Sequence, residues 1–523
     1  MRSRYVPLNS RDADLDRFRS RILVAAAAVV VGFGLLIGRF FFLQVVQHDY
    51  YITRAEDNRI SLVPIAPNRG VIQDRNGVVL ARNYSAFTLE ITPSKVENLD
   101  ATIDAVSQYV DIQPKDRRRF KKLLEESKSF ESIPIRTRLT DEEVARFTAN
   151  RYLFPGVDVQ ARLFRDYPLG ASASHVVGYI NRINQKDLDL IEAKEQAANY
   201  KGTERIGKTG LEQRYEFELH GLAGYEEVEI DAGGRAVRSL SRTAPISGND
   251  LTLTLDTKLQ EMTEKAFGDR RGALVAIEPS TGGILAMVST PTFDPNLFVD
   301  GIRSEDWDQL NNSPDRPMIN RAINGAYPPG STFKPVQGLV FLQEGLISPQ
   351  TMYTCYHGYP LRGGKPACHG HASPLNLVSA LATSCNAYFC WGLHDMLDSR
   401  KRYPSIQEAF EVWKNHVVSM GYGYKLGIDL PGEKRGYIPN SQVYDKIYRK
   451  RWNSSTIIST AIGQGEITST PLQIANLAAT IANRGHFYTP HVVKKIEDMP
   501  LDTLYTKKRK TSVDSHYYDY IVE

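Results

Sequence analysis

The 523-residue chain is 42% hydrophobic and 24% charged, the composition of folded domains rather than of a disordered segment. Its 64 lysines and arginines nearly cancel its 60 aspartates and glutamates, and a net charge of +4 leaves no electrostatic footprint for nucleic acid. The length exceeds what one hydrophobic core organises, so two or more domains are expected.

Residues 1–21 are a basic tail carrying Arg2, Arg4, Arg11, Arg17, Arg19 and Arg21. Residues 22–46 are a long apolar run, sufficient for one transmembrane helix if Arg39 snorkels to the interface. Only Arg54 and Arg59 follow soon after, so the positive-inside rule predicts a cytoplasmic N-terminus with the bulk of the chain outside. The run is long for a cleaved signal peptide and no small-x-small site follows it, which favours a retained anchor.

Beyond the anchor, residues 61–65 and 78–81 read as a hairpin around the Asn76-Gly77 turn. Helices are expected over 102–110, 116–128 and 139–150, the last opening on a Thr140–Glu143 capping box. Segments 166–179 and 202–235 complete a mixed region whose carboxylates read as a solvated face. Residues 202–209 spell G-x-x-x-x-G-K-T, a formal phosphate-loop match. The preceding 187–200 is charged and helix-like rather than a buried strand, so nucleotide binding is set aside. The Pro/Ser/Gly stretch 241–248 marks a boundary. Residues 250–255 alternate as a strand, a helix follows from 258, and the apolar runs 272–279 and 283–289 read as a hairpin joined by Ser280-Thr281-Gly282.

The chemistry is concentrated after residue 327. Tyr327-Pro328-Pro329-Gly330 introduces Ser331-Thr332-Phe333-Lys334, an S-x-x-K tetrapeptide, and residues 335–342 read as an apolar helix. On that geometry Ser331 sits at a helix N-terminus with the Lys334 amine beside its hydroxyl. A lysine whose pKa is lowered by burial can take the serine proton, and free N–H groups at the helix start suit an oxyanion. Ser384-Cys385-Asn386 is an S-x-N triplet able to supply a hydroxyl for proton relay and an amide for a substrate peptide. Either motif alone also reads as ordinary capping and loop residues.

All 4 cysteines fall in this region, at 355, 368, 385 and 390. Cys355 and Cys368 flank a Gly/Pro-rich loop, where a disulfide suits an oxidising compartment. A zinc cluster drawn from Cys355, His357, Cys368, His369 and His371 is the rival reading, although the spacing matches no standard zinc module; free thiols are the third. Cys390 reads as a packed apolar residue.

These motifs occur with others in a fixed order: Asp57-Asn58-Arg59-Ile60, Arg69-Gly70-Val71-Ile72-Gln73-Asp74-Arg75-Asn76-Gly77, Tyr167-Pro168-Leu169-Gly170, Gly210-Leu211-Glu212, Gly427-Ile428-Asp429-Leu430-Pro431-Gly432-Glu433 and Gly463-Gln464-Gly465. Along nearly its whole length the chain resembles the class B penicillin-binding proteins, and within them the elongation-type penicillin-binding protein 2; the division type is the near alternative. The resemblance implies a multidomain α/β protein. Its parts would be a cytoplasmic tail (1–21), a transmembrane anchor (22–46), a mixed α+β pedestal or dimerisation domain (47–248) and a serine β-lactamase-like transpeptidase domain (249–523). It implies Ser331 as nucleophile, Lys334 as general base, and Ser384 and Asn386 as relay and substrate holder. No cofactor or catalytic metal is expected. The expected partners are the peptidoglycan stem pentapeptide and its lipid-linked precursor, β-lactams, the bacterial inner membrane and a multi-pass glycosyltransferase of the elongation machinery.

One departure stands out. The family's third motif, Lys-Ser/Thr-Gly, is absent after Asn386; Lys510-Thr511-Ser512 lacks the glycine and ends a basic run that reads as a solvated loop. Lys208-Thr209-Gly210 lies upstream of Ser331 and belongs to the pedestal motif. The transpeptidase domain is therefore expected to lack its C-terminal strands, which would leave the 272–289 hairpin as a marginal two-stranded element. A weak enzyme or a non-catalytic truncated scaffold would follow. A β-lactam sensor or hydrolase is disfavoured, because no residue suited to activating a deacylating water is evident.

Overall fold

The computed structural model describes residues 11–50, 60–127, 131–230, 236–497 and 499–523. The motif residues 57–59, the cations Arg2, Arg4 and Arg54, and the predicted helix end at Lys128 lie outside them.

The helix Arg11–Phe41 continues through the π-turn Phe42–Val46. Its span Arg17–Val46 is 30 residues and contains an 18-residue stretch of mean hydropathy 2.3 that buries nothing against the protein. At 1.5 Å per residue this is about 45 Å, more than the roughly 30 Å of a bilayer's hydrocarbon.

The chain divides into two compact units. The first combines residues up to 64 with 89–159 and 225–243. Its core is built on Leu89, Ile103, Val106, Phe120, Ile133, Ile135 and Phe147. Helices Leu99–Val106, Pro114–Glu126 and Asp141–Asn150 turn their apolar positions inward. The predicted capping box is formed: Thr140 accepts from the Glu143 N–H while Glu143 accepts from Thr140. Strand Ile60–Ile65 lies beside Gly224–Ile230, which pairs with Ala236–Thr243.

This corrects the first expected hairpin. Residues 61–65 are not the partner of 78–81; Ile72–Gln73 is, with Ile72 opposite Ala81. Asp74 decides the register, because its carboxylate accepts from the N–H groups of Asn76 and Val78 at 2.7 and 2.8 Å, and Gly77 takes the left-handed φ of 85° that closes the turn.

The second unit gathers 65–88, 160–224 and 244–523. A buried ion cluster ties its first segments together: Glu212, fully buried, receives Arg165 at 2.7 Å and Arg69 at 2.6 Å, and Arg69 also reaches Glu216. The phosphate-loop match is consumed structurally, since Lys208 pairs with Asp187 and strand Arg205–Gly207 pairs with Ile180–Arg182. Strand Leu251–Leu253 runs parallel to Ile72–Gln73 and antiparallel to Val493–Ile496. Helix Thr257–Phe267, capped by Asp256, leads into the expected hairpin Gly272–Ile277 and Ile284–Thr290. Among the described residues no third strand joins this hairpin.

The basic run before Ser512 is also corrected. It is not a free loop: Arg509–Lys510 pairs with His486–Phe487, and the Thr511 and Tyr518 hydroxyls lie 2.7 Å apart. The Ser512 hydroxyl meets His416 Nδ1 at 2.7 Å, and the Asp514 N–H donates to Gln343 at the far end of helix Lys334–Gln343. Ten residues of helix place that end about 15 Å from Lys334.

Candidate active site

The apolar helix starts one turn later than Ser331. Residues Gly330–Phe333 form a 3-10 turn, and Lys334–Gln343 continues as α-helix with Pro335 in its first turn, where a missing N–H costs nothing. Ser331 and Thr332 are exposed while Phe333 and Lys334 are buried. The turn is held from behind, where the Gly330 N–H donates to the Gly463 carbonyl at 2.9 Å. Gly463 has a left-handed φ of 68°, and a Cβ there would stand 2.4 Å from the Gly330 oxygen.

The S-x-N triplet is the turn between two helices. Helix Leu377–Ala382 ends with Ser384 in the left-handed conformation, φ 52°, and the Cys385 N–H donates to the Ala380 carbonyl. Helix Asn386–Asp398 then begins with Cys385 as its N-cap. It packs against the Lys334–Gln343 helix closely enough that a Cβ on Gly392 would meet the Phe341 ring at 2.3 Å.

The structure brings Ser331, Lys334, Ser384 and Asn386 together. Lys334 Nζ donates to the Ser384 carbonyl at 2.6 Å, the Ser384 hydroxyl at 2.9 Å and Asn386 Oδ1 at 2.6 Å. The Ser384 hydroxyl donates onward to Ser331 Oγ at 3.1 Å. The i,i+3 expectation is thereby modified: the amine turns to three oxygens of the S-x-N turn and reaches Ser331 through Ser384. Burial holds the Lys334 pKa below the ordinary lysine value, opposed by neighbouring Cys368, Cys385 and Cys390. The Phe389 ring lies 5.8 Å from Nζ.

Two supports escaped the sequence reading. Gln337, fully buried, donates to the Thr460 carbonyl at 2.9 Å and accepts from Trp413 Nε1 at 2.8 Å, fastening the Lys334–Gln343 helix to the turn before Gly463. Asn386 also donates from Nδ2 to the Ala367 carbonyl at 2.7 Å, which ties the S-x-N turn to the cysteine-bearing loop.

The cysteines differ from expectation. All four are free thiols, so the Cys355–Cys368 disulfide is not formed. Ligand atoms of Cys355, Cys368, His371 and Cys385 lie within 4.8 Å of one another. His357 and His369 stand outside this group. His357 is exposed with a left-handed φ of 56°, and its carbonyl accepts from the Cys368 N–H. Cys385 takes its place because the loop folds back onto the S-x-N turn, a non-local closure that spacing does not reveal. Three thiols and one imidazole are a donor set suited to tetrahedral Zn²⁺.

The chain as a whole is similar to known proteins. The Penicillin-binding Protein dimerisation domain family matches residues 64–253, and the Penicillin binding protein transpeptidase domain family matches 272–523. Peptidoglycan D,D-transpeptidase MrdA of Escherichia coli K12 is 40% identical over 481 residues, spanning 91% of this chain and 74% of the relative. The chain belongs to the MrdA, or penicillin-binding protein 2, family. The Acinetobacter baumannii member is 38% identical over 94% of this chain and 71% of its own. Among solved structures, penicillin-binding protein 2 of Helicobacter pylori in complex with MreC superposes with a TM-score of 0.71 at 27% identity, covering 88% of this chain and 82% of that one. The Pseudomonas aeruginosa family member, in complex with WCK 5153, gives 0.62 at 30% identity over 88% and 79%. The transpeptidase match, 272–523, contains Ser331, Lys334, Ser384 and Asn386.

Proposed function

We propose that this chain is a single-pass inner-membrane peptidoglycan D,D-transpeptidase of cell elongation acting through a Ser331 acyl-enzyme. The observation that carries the residue assignment is the continuous hydrogen-bonded path from Ser331 through Ser384 to Lys334, held by Asn386. Neutral Lys334 draws the Ser331 proton along this path while Oγ attacks the carbonyl of the penultimate D-Ala of a stem pentapeptide. Collapse expels terminal D-Ala, whose amine takes the proton back through Ser384. An amine of a neighbouring stem then attacks the ester, Lys334 accepts its proton, and the cross-link forms as Ser331 is regenerated. A β-lactam ring amide enters the same path and leaves a stable acyl-serine.

The apolar helix Arg17–Val46 supports the anchor and offers a surface for a multi-pass glycosyltransferase. MreC, present in the Helicobacter pylori complex, is a second candidate partner. A non-catalytic scaffold is the competing reading. Covalent labelling by a fluorescent penicillin decides between them: a band lost in Ser331→Ala supports the enzyme, and no band from folded protein supports the scaffold.

A further inference from the structure

Two motifs singled out in the sequence take no part in the acylation path: Gly210-Leu211-Glu212 and the stretch 427–433. They meet at a cavity of about 310 Å³ inside the second unit, where Gly210 and Leu430-Pro431-Gly432 form part of the wall. We propose that this cavity is a binding subsite for one neutral N-acetylated sugar of a glycan strand, separate from the Ser331 site. That the strand is peptidoglycan rests on the proposed transpeptidase function; the match of the cavity to a neutral sugar does not.

Charge narrows the ligand class first. Among the described residues lining the cavity there is no Asp, Glu, Lys or Arg. The one imidazole in the wall, His175, stays neutral: burial brings its pKa down to about 4, and its Nε2 donates to the Pro317 carbonyl at 2.7 Å. A phosphate, or a stem peptide with its ionised amine and carboxylate groups, finds no counter-charge here.

The polar groups that remain suit hydroxyls and amides. With Nε2 protonated, His175 Nδ1 is an acceptor. Asn324 commits its Nδ2 to the Gly432 carbonyl at 2.7 Å and keeps Oδ1 as an acceptor. Asn320 caps the helix Arg321–Asn324, its Oδ1 accepting from the Ala322 N–H at 3.1 Å, and its Nδ2 has only a long 3.4 Å contact with the His175 carbonyl and a 4.0 Å one with the Met287 sulfur. The exposed Gln213 amide offers a donor and an acceptor. Met318, Leu430 and Pro431 add apolar wall. An N-acetylhexosamine presents the complement: hydroxyls and an acetamido group around an apolar ring face. The volume is near the roughly 300 Å³ lower end for ligand sites, so it takes one ring and not a length of strand.

The cavity also lies near the chemistry. Ser331 follows Asn324 by seven residues, at most about 25 Å of extended chain. An extended pentapeptide spans about 17 Å, so the strand presenting a stem to Ser331 passes in the same neighbourhood.

The test titrates N,N′-diacetylchitobiose against the full chain in detergent micelles and reads saturation transfer to the acetyl methyl protons. The acetyl signal should appear with the parent and with Ser331→Ala alike. Gln213→Ala should weaken binding about fivefold, the loss of one hydrogen bond, and Gln213→Trp, which fills space beside the wall, at least tenfold. Melting temperature and penicillin labelling should be unchanged in both. D-Alanyl-D-alanine, charged at each end, should give no signal that Gln213→Trp removes. No disaccharide signal with the parent, a signal lost in Ser331→Ala, or one that both Gln213 variants leave intact overturns the proposal. A parent that binds the disaccharide but takes no penicillin overturns the Ser331 reading and leaves the subsite standing.

Discussion

Lys334 reaches Ser331 through the Ser384 hydroxyl, which lies 2.9 Å from Nζ and donates to Ser331 Oγ at 3.1 Å. Ser384 is also a non-glycine residue at φ 52°, so its hydroxyl is held in place by a strained backbone. Two substitutions separate these roles. Ser384→Gly relieves the strain and removes the hydroxyl; Ser384→Ala keeps the strain and removes the hydroxyl. If the hydroxyl is the relay, both lower the second-order rate of penicillin acylation by about 10²–10⁴, the usual range for a general acid–base group. Recovery of the rate in Ser384→Gly alone would assign Ser384 a backbone role.

The same path predicts the pH profile. Burial lowers the Lys334 pKa from its ordinary 10.5. A buried lysine loses its proton at lower pH than a solvated one, so the neutral base accumulates earlier as pH rises. Acylation should therefore increase with pH through a midpoint below 10.5 and level off above it. Stopped-flow acylation across the alkaline range reads this midpoint. A rate independent of pH up to 10.5 would remove Lys334 as the base.

Much of this was legible in the sequence, for reasons specific to each element. The Thr140–Glu143 cap and the hairpin over 272–289 are local, fixed by side chains within a few residues of one another. The S-x-x-K and S-x-N motifs were legible as chemistry, but not the route between them, because that route depends on which oxygens a buried amine selects. The pairing of Ile72 with Ala81 depended on the Asp74 carboxylate rather than on apolar alternation. Cys385 joined the cysteine cluster through a loop closure that no spacing rule encodes.

Glu212 gives a stability prediction in the second unit. Its carboxylate is fully buried between Arg69 and Arg165, and together the two guanidiniums and their hydrogen bonds hold its pKa below the ordinary carboxylate value despite burial. Glu212→Gln would leave both arginines without their shared anion. Breaking a buried ion pair from one side costs about 3–5 kcal/mol, so a marked fall in the melting temperature is expected. Differential scanning fluorimetry checks this, and an unchanged melting temperature would show that Glu216 carries Arg69 by itself.

The cluster of Cys355, Cys368, His371 and Cys385 predicts one tightly held zinc ion. Metal content measured on protein purified without chelator should approach one zinc per chain. Removal with a strong chelator should lower the melting temperature, because the ion cross-links the loop to the S-x-N turn. Cys355→Ser should lower metal content, while His357→Ala should leave it unchanged. Equal loss in both variants would restore the ligand set expected from sequence.

Gly463 supplies the sharpest geometric test. The Gly330–Phe333 turn is anchored by the Gly330 N–H on the Gly463 carbonyl, and the two glycines touch through their backbones. A Cβ at 463 would stand 2.4 Å from the Gly330 oxygen and 2.7 Å from the Phe333 Cβ. Neither neighbour is the end of a flexible side chain, and the φ of 68° disfavours alanine independently. Gly463→Ala must therefore displace residues 330–333, moving Ser331 away from Ser384. Misplacement of about 1 Å can cost 10²-fold in rate, so acylation should fall by roughly that factor. Gln464→Ala, one residue on and exposed, should leave the melting temperature and acylation near those of the parent. If Gly463→Ala acylates normally while Ser331→Ala does not, the nucleophile is aligned from the S-x-N side alone.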